Sequence, residues 1–232
     1  MSDDKKIKLI SKYFIKGQIK AVTGLHIGGS KTALDIGGID LNVIKTAAGV
    51  PYIPGSSLKG KLRSMLAKEY GNDDVKNDEL IIQEIFGESP SANSTGRITR
   101  LIVRDSFLNI DHFDKEKEEG EFTELELDYT EGKWENTIDR KSGTAGNPRQ
   151  IERVPAGAIF DFELVYDVYD DNKKDDHLKE IKKAMRLLQD DYIGGSGSRG
   201  YGKIEFVNVQ SGTKTIEDYK NDNKLKLEEM EL

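Results

Sequence analysis

Alternating apolar and polar residues predict strands in the early and late parts of the chain. A period of two is typical of a strand that buries one face. It runs over residues 15–21, where isoleucine and alanine alternate with lysine and glutamine, and over residues 160–168, where apolar residues alternate mainly with acids. The apolar run 100–107 and the segment 203–209 add two further predicted strands.

Apolar residues at helical spacing predict two long helices, because positions three and four apart share one helix face. The apolar face of the first is formed by Leu58, Leu62, Met65, Leu66 and Tyr70, and that of the second by Leu178, Ile181, Met185 and Leu188. A serine cap at Ser56 or Ser57 is predicted to begin the first helix. A short helix is also predicted over Leu80 to Phe86.

The predicted elements follow the order β-α-β-β-α-β once the polar, glycine-containing stretch 109–156 is set aside as an insertion. This order is that of the ferredoxin-like or RRM-like fold, an α+β domain with two helices on one face of an antiparallel sheet. We therefore expect one domain over residues 1–212, with a loop insertion at 24–54 and a further insertion at about 109–156. Residues 213–232 are predicted to form an acidic polar tail.

Composition narrows the classes of function. The 232 residues include no cysteine, so disulfides, thiolate metal sites and a cysteine nucleophile are excluded. The three histidines lie far apart and lack zinc-ligand spacing, which predicts no built-in structural metal. No apolar run approaches the length of a membrane span, and no export signal is present at the charged N-terminus. These features predict a cytoplasmic protein with no membrane partner.

The charge is segregated along the chain. The net charge of −7 argues at first against a nucleic-acid partner. However, residues 41–68 carry five basic residues and no acid, whereas residues 114–128 carry eight acids and two lysines. A polyanionic partner therefore remains open.

The densest motif is the glycine-rich segment GGSGSRGYGKIEF, residues 194–206. It contains a G-x-G-x-x-G pattern, but a predicted helix precedes it and a strand follows, the reverse of a dinucleotide-binding site. RGYGKIEF is close to the RNP1 pattern of RNA-binding domains, except that Lys203 replaces a stacking aromatic residue. Closely approaching backbone beside Arg199 and Lys203 favours phosphate binding, and an ordinary glycine-rich turn remains the alternative.

A second motif, PGSSLKGKLR at residues 54–63, resembles a phosphate-binding loop. Leu62 replaces the hydroxyl residue that a nucleotide-hydrolysing site needs, so that reading is disfavoured. A helix N-terminus with Ser56, Ser57, Lys59 and Lys61 could nevertheless bind a phosphate. An ordinary capped helix with a solvated basic face explains the same pattern.

Three isolated features have ordinary explanations from the residues alone. Asp40 is a lone carboxylate in a glycine-rich loop, five residues after Asp35, and one acid makes no metal site. A loop-capping role is the more usual one. Arg149 and Arg153, in NPRQIERV, could face an anion or form surface ion pairs. His26 follows a strand, and a structural role is expected.

Five segments occur in one order over residues 24–209: GLHIGG, GGID, PGSSLKGKLR, NPRQIER and GGSGSRGYGK. Together they closely resemble the RAMP superfamily, and within it the backbone subunits of the type III-A CRISPR effector, the Csm complex. The resemblance implies an RRM-like palm with an inserted thumb hairpin. It also implies copies that stack along a CRISPR guide RNA beside other Csm subunits, with the hairpin wedged into the guide–target duplex.

The resemblance further implies cleavage of complementary target RNA at regular intervals by the RNA's own 2′-hydroxyl. A divalent metal, magnesium or manganese, would bind transiently with the RNA. Asp40, in the GGID segment, inherits the role of catalytic acid and of metal ligand, directly or through water, whereas Asp35 inherits none. The implied RNA-binding residues are His26, Ser56, Ser57, Lys59, Lys61, Arg63, Arg149, Gly195, Gly197, Arg199, Gly200 and Lys203.

Three alternatives remain at this point. The first is an RNA-binding structural backbone subunit that does not cleave. The second is a repeat-processing endonuclease of the same superfamily, which usually needs a catalytic histidine. His26 lies within the implied guide-binding segment, which disfavours this alternative. The third is a small-molecule enzyme on a ferredoxin-like fold, because a fold alone does not determine function.

Overall fold

The computed structural model describes residues 7–29, 41–90 and 96–232. Its strands are β1 (Leu9–Ala21), β2 (Tyr52–Ile53), β3 (Leu101–Val103), β4 (Ser106–Leu108), β5 (Glu131–Ile138), β6 (Ala145–Arg153), β7 (Ile159–Tyr169), β8 (Ile204–Thr215) and β9 (Glu228–Glu229). Its helices are α1 (Gly55–Tyr70), α2 (Leu80–Phe86), α3 (Ile110–Glu118), α4 (Lys174–Gln189) and α5 (Ile216–Lys220). No helix in these described ranges is long and apolar enough to cross a membrane.

The main sheet has the order β2-β4-β7-β1-β8-β9, with β3 also paired to β7. Each of these pairs is antiparallel. The central strands β7, β1 and β8, together with β3 and β4, reproduce the strand order of a ferredoxin-like domain. Strands β5 and β6 form a separate hairpin between β4 and β7. The predicted α+β fold, with an antiparallel sheet and an inserted hairpin, is confirmed.

The predicted apolar faces pack as expected. Leu58, Leu62, Met65 and Leu66 of α1 are buried, as are Leu178, Ile181, Met185 and Leu188 of α4, whereas Tyr70 is exposed at the end of α1. The two helices belong to one core with the inward residues of β1 and β7, including Ile15, Ile19, Phe160 and Leu164. Burial of these side chains is the main favourable contribution to folding.

The start of α1 differs from the predicted serine cap. Its N-cap is Pro54, and no side chain caps the helix at that residue. The N–H of Gly55 instead donates to the carboxylate of Asp105 at 2.7 Å. Gly55 is needed because a Cβ there would overlap the carbonyl oxygen of Val103. The helix begins where glycine lets the chain pass β3, so the serine prediction was wrong.

The predicted strand 100–107 is two short strands, β3 and β4, separated by Arg104 and Asp105. The N–H of Arg104 donates to the carbonyl of Glu163 at 3.1 Å, while its side chain pairs with the Glu163 carboxylate at 2.9 Å. Asp105 turns its carboxylate to α1. The interruption therefore supplies the anion that the N-terminus of α1 favours.

A buried polar network joins α2, β7 and α4. The Tyr166 hydroxyl lies 2.7 Å from Nδ1 of His177, and Nε2 of the same ring lies 3.2 Å from Glu84. Lys173 also pairs with Glu84. Burial, followed by the positive charge of Arg100, lowers the pKa of His177. Neutral His177 can accept from Tyr166 and donate to Glu84, so both ring nitrogens are satisfied.

The C-terminal residues fold back onto the domain. Strand β8 extends to Thr215, whose side chain caps α5 in a reciprocal pair with Asp218. Strand β9 then pairs with β8 at Gln210 and Ser211. Met230 is buried against the core, so this acidic segment covers part of the sheet edge.

Candidate nucleic-acid interface

The β5–β6 hairpin presents two different faces, because successive side chains of a strand point to opposite sides. Cross-strand pairs place Glu135 opposite Arg149 and Glu131 opposite Arg153 on one face. Trp134, paired with Gln150, belongs to the other face, as does Glu152. At the base of the hairpin, each of its two faces contacts a different loop of the domain.

Glu152 joins the hairpin to the segment that follows Asp40. Its side chain is 1% exposed. It accepts from the N–H of Val43 at 2.8 Å and from the Thr130 hydroxyl at 2.6 Å, and it pairs with Lys45. Its own N–H donates to the carbonyl of Leu41 at 3.0 Å. A buried carboxylate needs such partners, and here they fix the chain from residue 41 onward to the hairpin.

Asp40, the catalytic and metal-binding residue implied by the resemblance, lies outside the described residues, as does Asp35. The described flanks of their loop are paired with each other. Gly29 donates to Asn42 at 2.9 Å, and Ile44 donates to Ile27 at 2.9 Å. Leu41, covalently bonded to Asp40, forms a bridge with Ile151 of the hairpin. The described segments on either side of residues 30–40 therefore meet at the hairpin base.

His26 belongs to the same junction and is 7% exposed. Its Nδ1 lies 2.7 Å from the carbonyl oxygen of Glu152. Its own carbonyl accepts from the N–H of Gly195 at 2.8 Å. Both contacts hold protein segments together, which agrees with the structural role expected from the residue alone. Such a position does not favour the repeat-processing alternative, which needs an available catalytic histidine.

Most glycines of the segment 194–206 are needed for packing inside the protein. A Cβ at Gly194 would overlap the His26 carbonyl, and a Cβ at Gly197 would overlap the ring of Tyr192. A Cβ placed on Gly195 would lie 3.3 Å from the His26 ring. Gly200 differs: among the described residues nothing lies within 4 Å of such a Cβ, and only its φ of +87° requires glycine. Gly200 thus leaves space for a ligand.

The RNP1-like residues do not form a stacking platform. Tyr201 is buried under the hairpin, with Lys133 Nζ 4.5 Å and the Arg153 guanidinium 5.3 Å from the ring centre. Burial, then the nearby Glu135 carboxylate, raises the pKa of Tyr201 to about 12. Phe206 is buried edge-on against Phe162. These aromatic residues stabilise the domain rather than meet bases.

The open face of the sheet is also unlike that of an RRM that stacks bases. Its lysines form cross-strand ion pairs, Lys12 with Asp167 and Lys16 with Glu163. Paired charges leave little net positive potential for a phosphate backbone. These two ion pairs therefore add little to RNA binding on the face opposite the helices.

Arg149 and Arg199 meet at Glu135. Arg149 Nη2 lies 3.1 Å and Arg199 Nε lies 3.3 Å from the same oxygen, Oε2. Arg199 Nη2 also donates to the Ser196 hydroxyl at 2.6 Å. Burial opposes ionisation of Glu135, but its hydrogen-bond and charge partners, including Arg149 and Arg199, outweigh burial and hold its pKa below the ordinary value. Arg199 of the glycine-rich turn and Arg149 of the hairpin are thus brought together at Glu135.

Lys61 extends this surface onto α1. Its Nζ lies 3.1 Å from Asp191 and 3.9 Å from the ring centre of Tyr192, the ring that Gly197 contacts. Lys68 pairs with the other oxygen of Asp191. The surface of Lys61, Tyr192, Gly197, Arg199 and Arg149 is hereafter called the junction strip. It connects α1, the glycine turn and the hairpin.

Lys59 and Arg63 point to a different side of α1. Arg63 pairs with Asp78 at 2.6 Å, and Lys59 donates to the Thr99 hydroxyl at 2.7 Å. Both line a cavity of about 460 Å³. Within the described part of the chain no carboxylate forms an ion pair with Lys59, and burial, then the Arg63 charge, lowers its pKa. The basic residues of α1 therefore do not share one face.

The remaining predicted RNA-binding residues lie apart from the junction strip. Ser56 is exposed and Ser57 is half-buried in the first turn of α1, where Asp105 already accepts from Gly55. Lys203 is exposed, and its N–H donates to the Thr23 hydroxyl at 3.0 Å. Their proposed RNA contacts stay predictions.

The part of the chain that the structure describes contains no cluster of metal-ligating side chains. Residues 7–29, 41–90 and 96–232 contain no group of three or more histidine or acidic side chains that could hold a metal ion. A divalent cation held by Asp40, directly or through water, would need further oxygen ligands, which RNA phosphate and water can supply.

Sequence reasoning missed Glu152, Glu135 and Tyr192. Glu152 stands in the NPRQIER segment, but its partners Val43 and Lys45 lie far away in sequence, so no local pattern reveals its buried role. Glu135 has no motif, and only its cross-strand position opposite Arg149 reveals its role. Tyr192 could have been suspected as an aromatic residue immediately before the glycine-rich turn.

Fold and site together define a ferredoxin-like domain with an inserted hairpin, a class that includes RNA-binding proteins. The family model of the RAMP superfamily matches residues 18–205. The "CRISPR system Cms endoribonuclease Csm3" of Streptococcus thermophilus is 44% identical over 210 residues, covering 88% of this chain and 90% of the relative. A protein of the same name from Methanocaldococcus jannaschii is 41% identical over 237 residues, covering 97% and 91%.

A solved structure is also similar, the crystal structure of the Csm3–Csm4 subcomplex in the type III-A CRISPR–Cas interference complex. The TM-score is 0.62 at 32% identity, covering 96% of this chain and 90% of that one. The chain belongs to the RAMP superfamily and, within it, to the Csm3 family. The resemblance found in the five sequence segments is confirmed.

Proposed function

We propose that the chain is an endoribonuclease subunit of a type III-A CRISPR effector, which binds CRISPR guide RNA and cleaves complementary target RNA. One observation carries the proposal: the described flank of the Asp40 loop, His26 and the hairpin base meet at Glu152. The described residues that directly follow Asp40 in sequence are thus bound to the base of an exposed hairpin. The relatives named as endoribonucleases support the same activity.

The junction strip is the proposed path of the guide. It joins the basic and glycine residues of α1, the turn and the hairpin without a break in contacts. Phosphate contacts from lysine and arginine give affinity without sequence preference, as a subunit that accepts any guide requires. We place the target strand on the other side of the hairpin base, on the face that carries Trp134 and Glu152.

The cleavage chemistry needs little from the protein. The 2′-hydroxyl of the target loses its proton as its oxygen attacks the adjacent phosphorus. The bond from phosphorus to the 5′-oxygen breaks, the 5′-oxygen takes up a proton, and the products carry a 2′,3′-cyclic phosphate and a 5′-hydroxyl. The chain has to hold the strand so that attacking and leaving oxygens align. Asp40 is the proposed catalytic carboxylate. A divalent metal would supply charge stabilisation at the phosphate.

Assembly follows from the same proposal. We propose that further copies of this chain stack along one guide, each contributing one hairpin, and that other Csm subunits complete the complex. The similar Csm3–Csm4 subcomplex supports contact with another Csm subunit. These RNA partners belong to the cytoplasm, and we propose that the chain works there.

The test is Asp40→Ala in a reconstituted complex with end-labelled target RNA. We expect evenly spaced products to fall by orders of magnitude while guide and target binding persist, and EDTA to have the same effect on the wild type. Asp35→Ala is the matched control, because it removes the same charge from the same loop and should still cleave. Products ending in a cyclic phosphate are expected.

Each outcome decides between two functions. An unchanged ladder with Asp40→Ala would show that the catalytic assignment is wrong. A wild-type complex that binds guide and target but never cleaves would favour the structural backbone subunit instead. A purified chain that binds no RNA would leave the small-molecule alternative.

A further inference from the structure

Two arginine side chains from different parts of the domain converge on one carboxylate oxygen. Arg149 of β6 and Arg199 of the glycine turn approach Oε2 of Glu135 at 3.1 and 3.3 Å. Two guanidinium groups repel each other, and an anion between them offsets that repulsion. The convergence therefore identifies a position in the junction strip where negative charge is favoured.

The surroundings add positive charge and restrict movement. Lys133 and Arg153 lie against the Tyr201 ring beneath the hairpin, and Glu131 pairs with Arg153 at 2.6 Å. These groups comprise four cationic side chains and two carboxylates, Glu131 and Glu135, which leaves an excess of positive charge. The Ser196 hydroxyl, 2.6 Å from Arg199 Nη2, holds that arginine in place.

The arginines are accessible, whereas the carboxylate is not. Their side chains are 48% and 51% exposed for Arg149 and Arg199, against 13% for Glu135. Each guanidinium keeps several donors free of Glu135, because arginine carries five N–H groups. A phosphate group, which has two unshared oxygens, can accept from both at once and from the solvent side.

We propose that one phosphate of the bound RNA lies between Arg149 and Arg199 and displaces Glu135, the carboxylate that holds the two arginines together in the chain without RNA. The inference rests on the proposed RNA-binding function and deepens it. RNA would then bridge hairpin and palm at this point, so that binding fixes the hairpin relative to the glycine turn.

The experiment measures affinity of the purified full chain for a fluorescently labelled single-stranded RNA by anisotropy. Glu135→Gln keeps the shape of the side chain but removes the competing charge. We expect binding to tighten about two- to fivefold, the range expected for releasing an exposed ion pair. Glu131→Gln is the matched control: it removes the same charge from the same strand and releases Arg153 instead. We expect a smaller gain.

A double-mutant comparison isolates the shared phosphate. Arg149→Gln and Arg199→Gln should each weaken RNA binding, and together they should cost less than the product of the single effects, because either change already disrupts one common contact. In the doubly substituted chain, Glu135→Gln should no longer tighten binding. Thermal melting of each variant checks that the domain remains folded.

The possible failures are distinct. If Glu135→Gln and Glu131→Gln change affinity equally, or if Glu135→Gln weakens binding, the displacement of Glu135 by an RNA phosphate is overturned while RNA binding stands. If the double variant loses as much affinity as the product of the two single losses, the two arginines do not share one phosphate. If the wild-type chain binds no RNA at all, the proposed function itself fails.

Discussion

Lys61 of α1 lies with its Nζ 3.9 Å from the ring centre of Tyr192, and Gly197 packs against that same ring. The pair connects the helix to the glycine turn. The cation and ring attract each other, and Asp191 on the other side of Lys61 fixes its direction. The turn cannot move without disturbing α1, which makes the ring a link between two predicted RNA-binding segments.

Gly197 and Gly200 should respond differently to substitution. Gly197→Ala forces the Tyr192 ring to move and should lower the free energy of unfolding by about 1–3 kcal/mol. Gly200→Asn should cost less, about 0.5 kcal/mol, because asparagine tolerates a positive φ and space is open among the described residues. Denaturant unfolding measures both. Equal losses would mean that the ring does not restrict Gly197.

RNA binding by Gly200→Asn is the companion measurement. If an RNA backbone approaches this open position, affinity should fall severalfold although stability changes little. Unchanged affinity would remove Gly200 from the proposed RNA path and leave it a residue of the turn alone.

Gly60 of α1 is a position where substitution should stabilise the domain, and RNA binding of the same variant tests whether RNA passes this helix. It is exposed, and no described residue lies within 4 Å of a Cβ placed there. Gly60→Ala should therefore raise the free energy of unfolding by about 0.5–1 kcal/mol, because alanine is the better helix former. Weaker RNA binding by this more stable variant would place RNA backbone against α1. A variant with unchanged affinity would place the path elsewhere.

Local patterns predicted the elements that depend on local spacing. The apolar faces of α1 and α4 and the alternation of β7 follow from residues a few positions apart, and all three are present as predicted. The start of α1 was wrong because it depends on Gly55 passing Val103, a contact between segments that no cap pattern reveals.

The charge of residues 41–68, which include five basic residues and no acid, illustrates the same limit. Its residues look unpaired in sequence, yet Lys45 meets Glu152, which is 107 positions away, and Lys61 meets Asp191, which is 130 positions away. A window counts only nearby acids, whereas ion pairs form between segments that the fold brings together. Only the family resemblance, not the charge, pointed to the correct class.

The His177 network should make stability depend on pH. The pKa of His177 is below its ordinary value of 6.5 in the folded chain, so the unfolded chain binds more protons between the two values. Stability should therefore be full above pH 6.5 and fall as the pH drops toward the folded pKa. Each unit of pKa difference corresponds to about 1.4 kcal/mol.

Denaturant unfolding of the wild type and of His177→Gln over pH 5.5–8 measures this. These limits are chosen to lie about one unit or more either side of the ordinary histidine pKa. Glutamine can still bond Tyr166 and Glu84 but does not titrate, so the slope should flatten. His112→Gln, on α3, is the control and should keep the wild-type slope. An equally steep slope with His177→Gln would assign the pH dependence to other groups.

Trp134 provides a direct optical test of the hairpin's role. It is the single tryptophan of the chain and is 62% exposed. It lies on the hairpin face that also carries Glu152, whose contacts hold the described segment that begins at Leu41, directly after Asp40 in sequence. If target RNA passes this face, bases should stack on the indole, and its fluorescence should fall as complementary RNA is added to a guide-loaded complex. Trp134→Ala should weaken target binding by about 1–3 kcal/mol, the range for one stacked base.

The control keeps an aromatic ring and removes the signal. Trp134→Phe should bind target almost as well as the wild type, because phenylalanine also stacks, and should lose the fluorescence change. Because each subunit of the assembly would carry one such residue, the change should saturate at the same RNA concentration as target binding measured independently. Constant tryptophan fluorescence at saturating target would place the RNA away from this face, and the proposed position of the target strand would then be wrong.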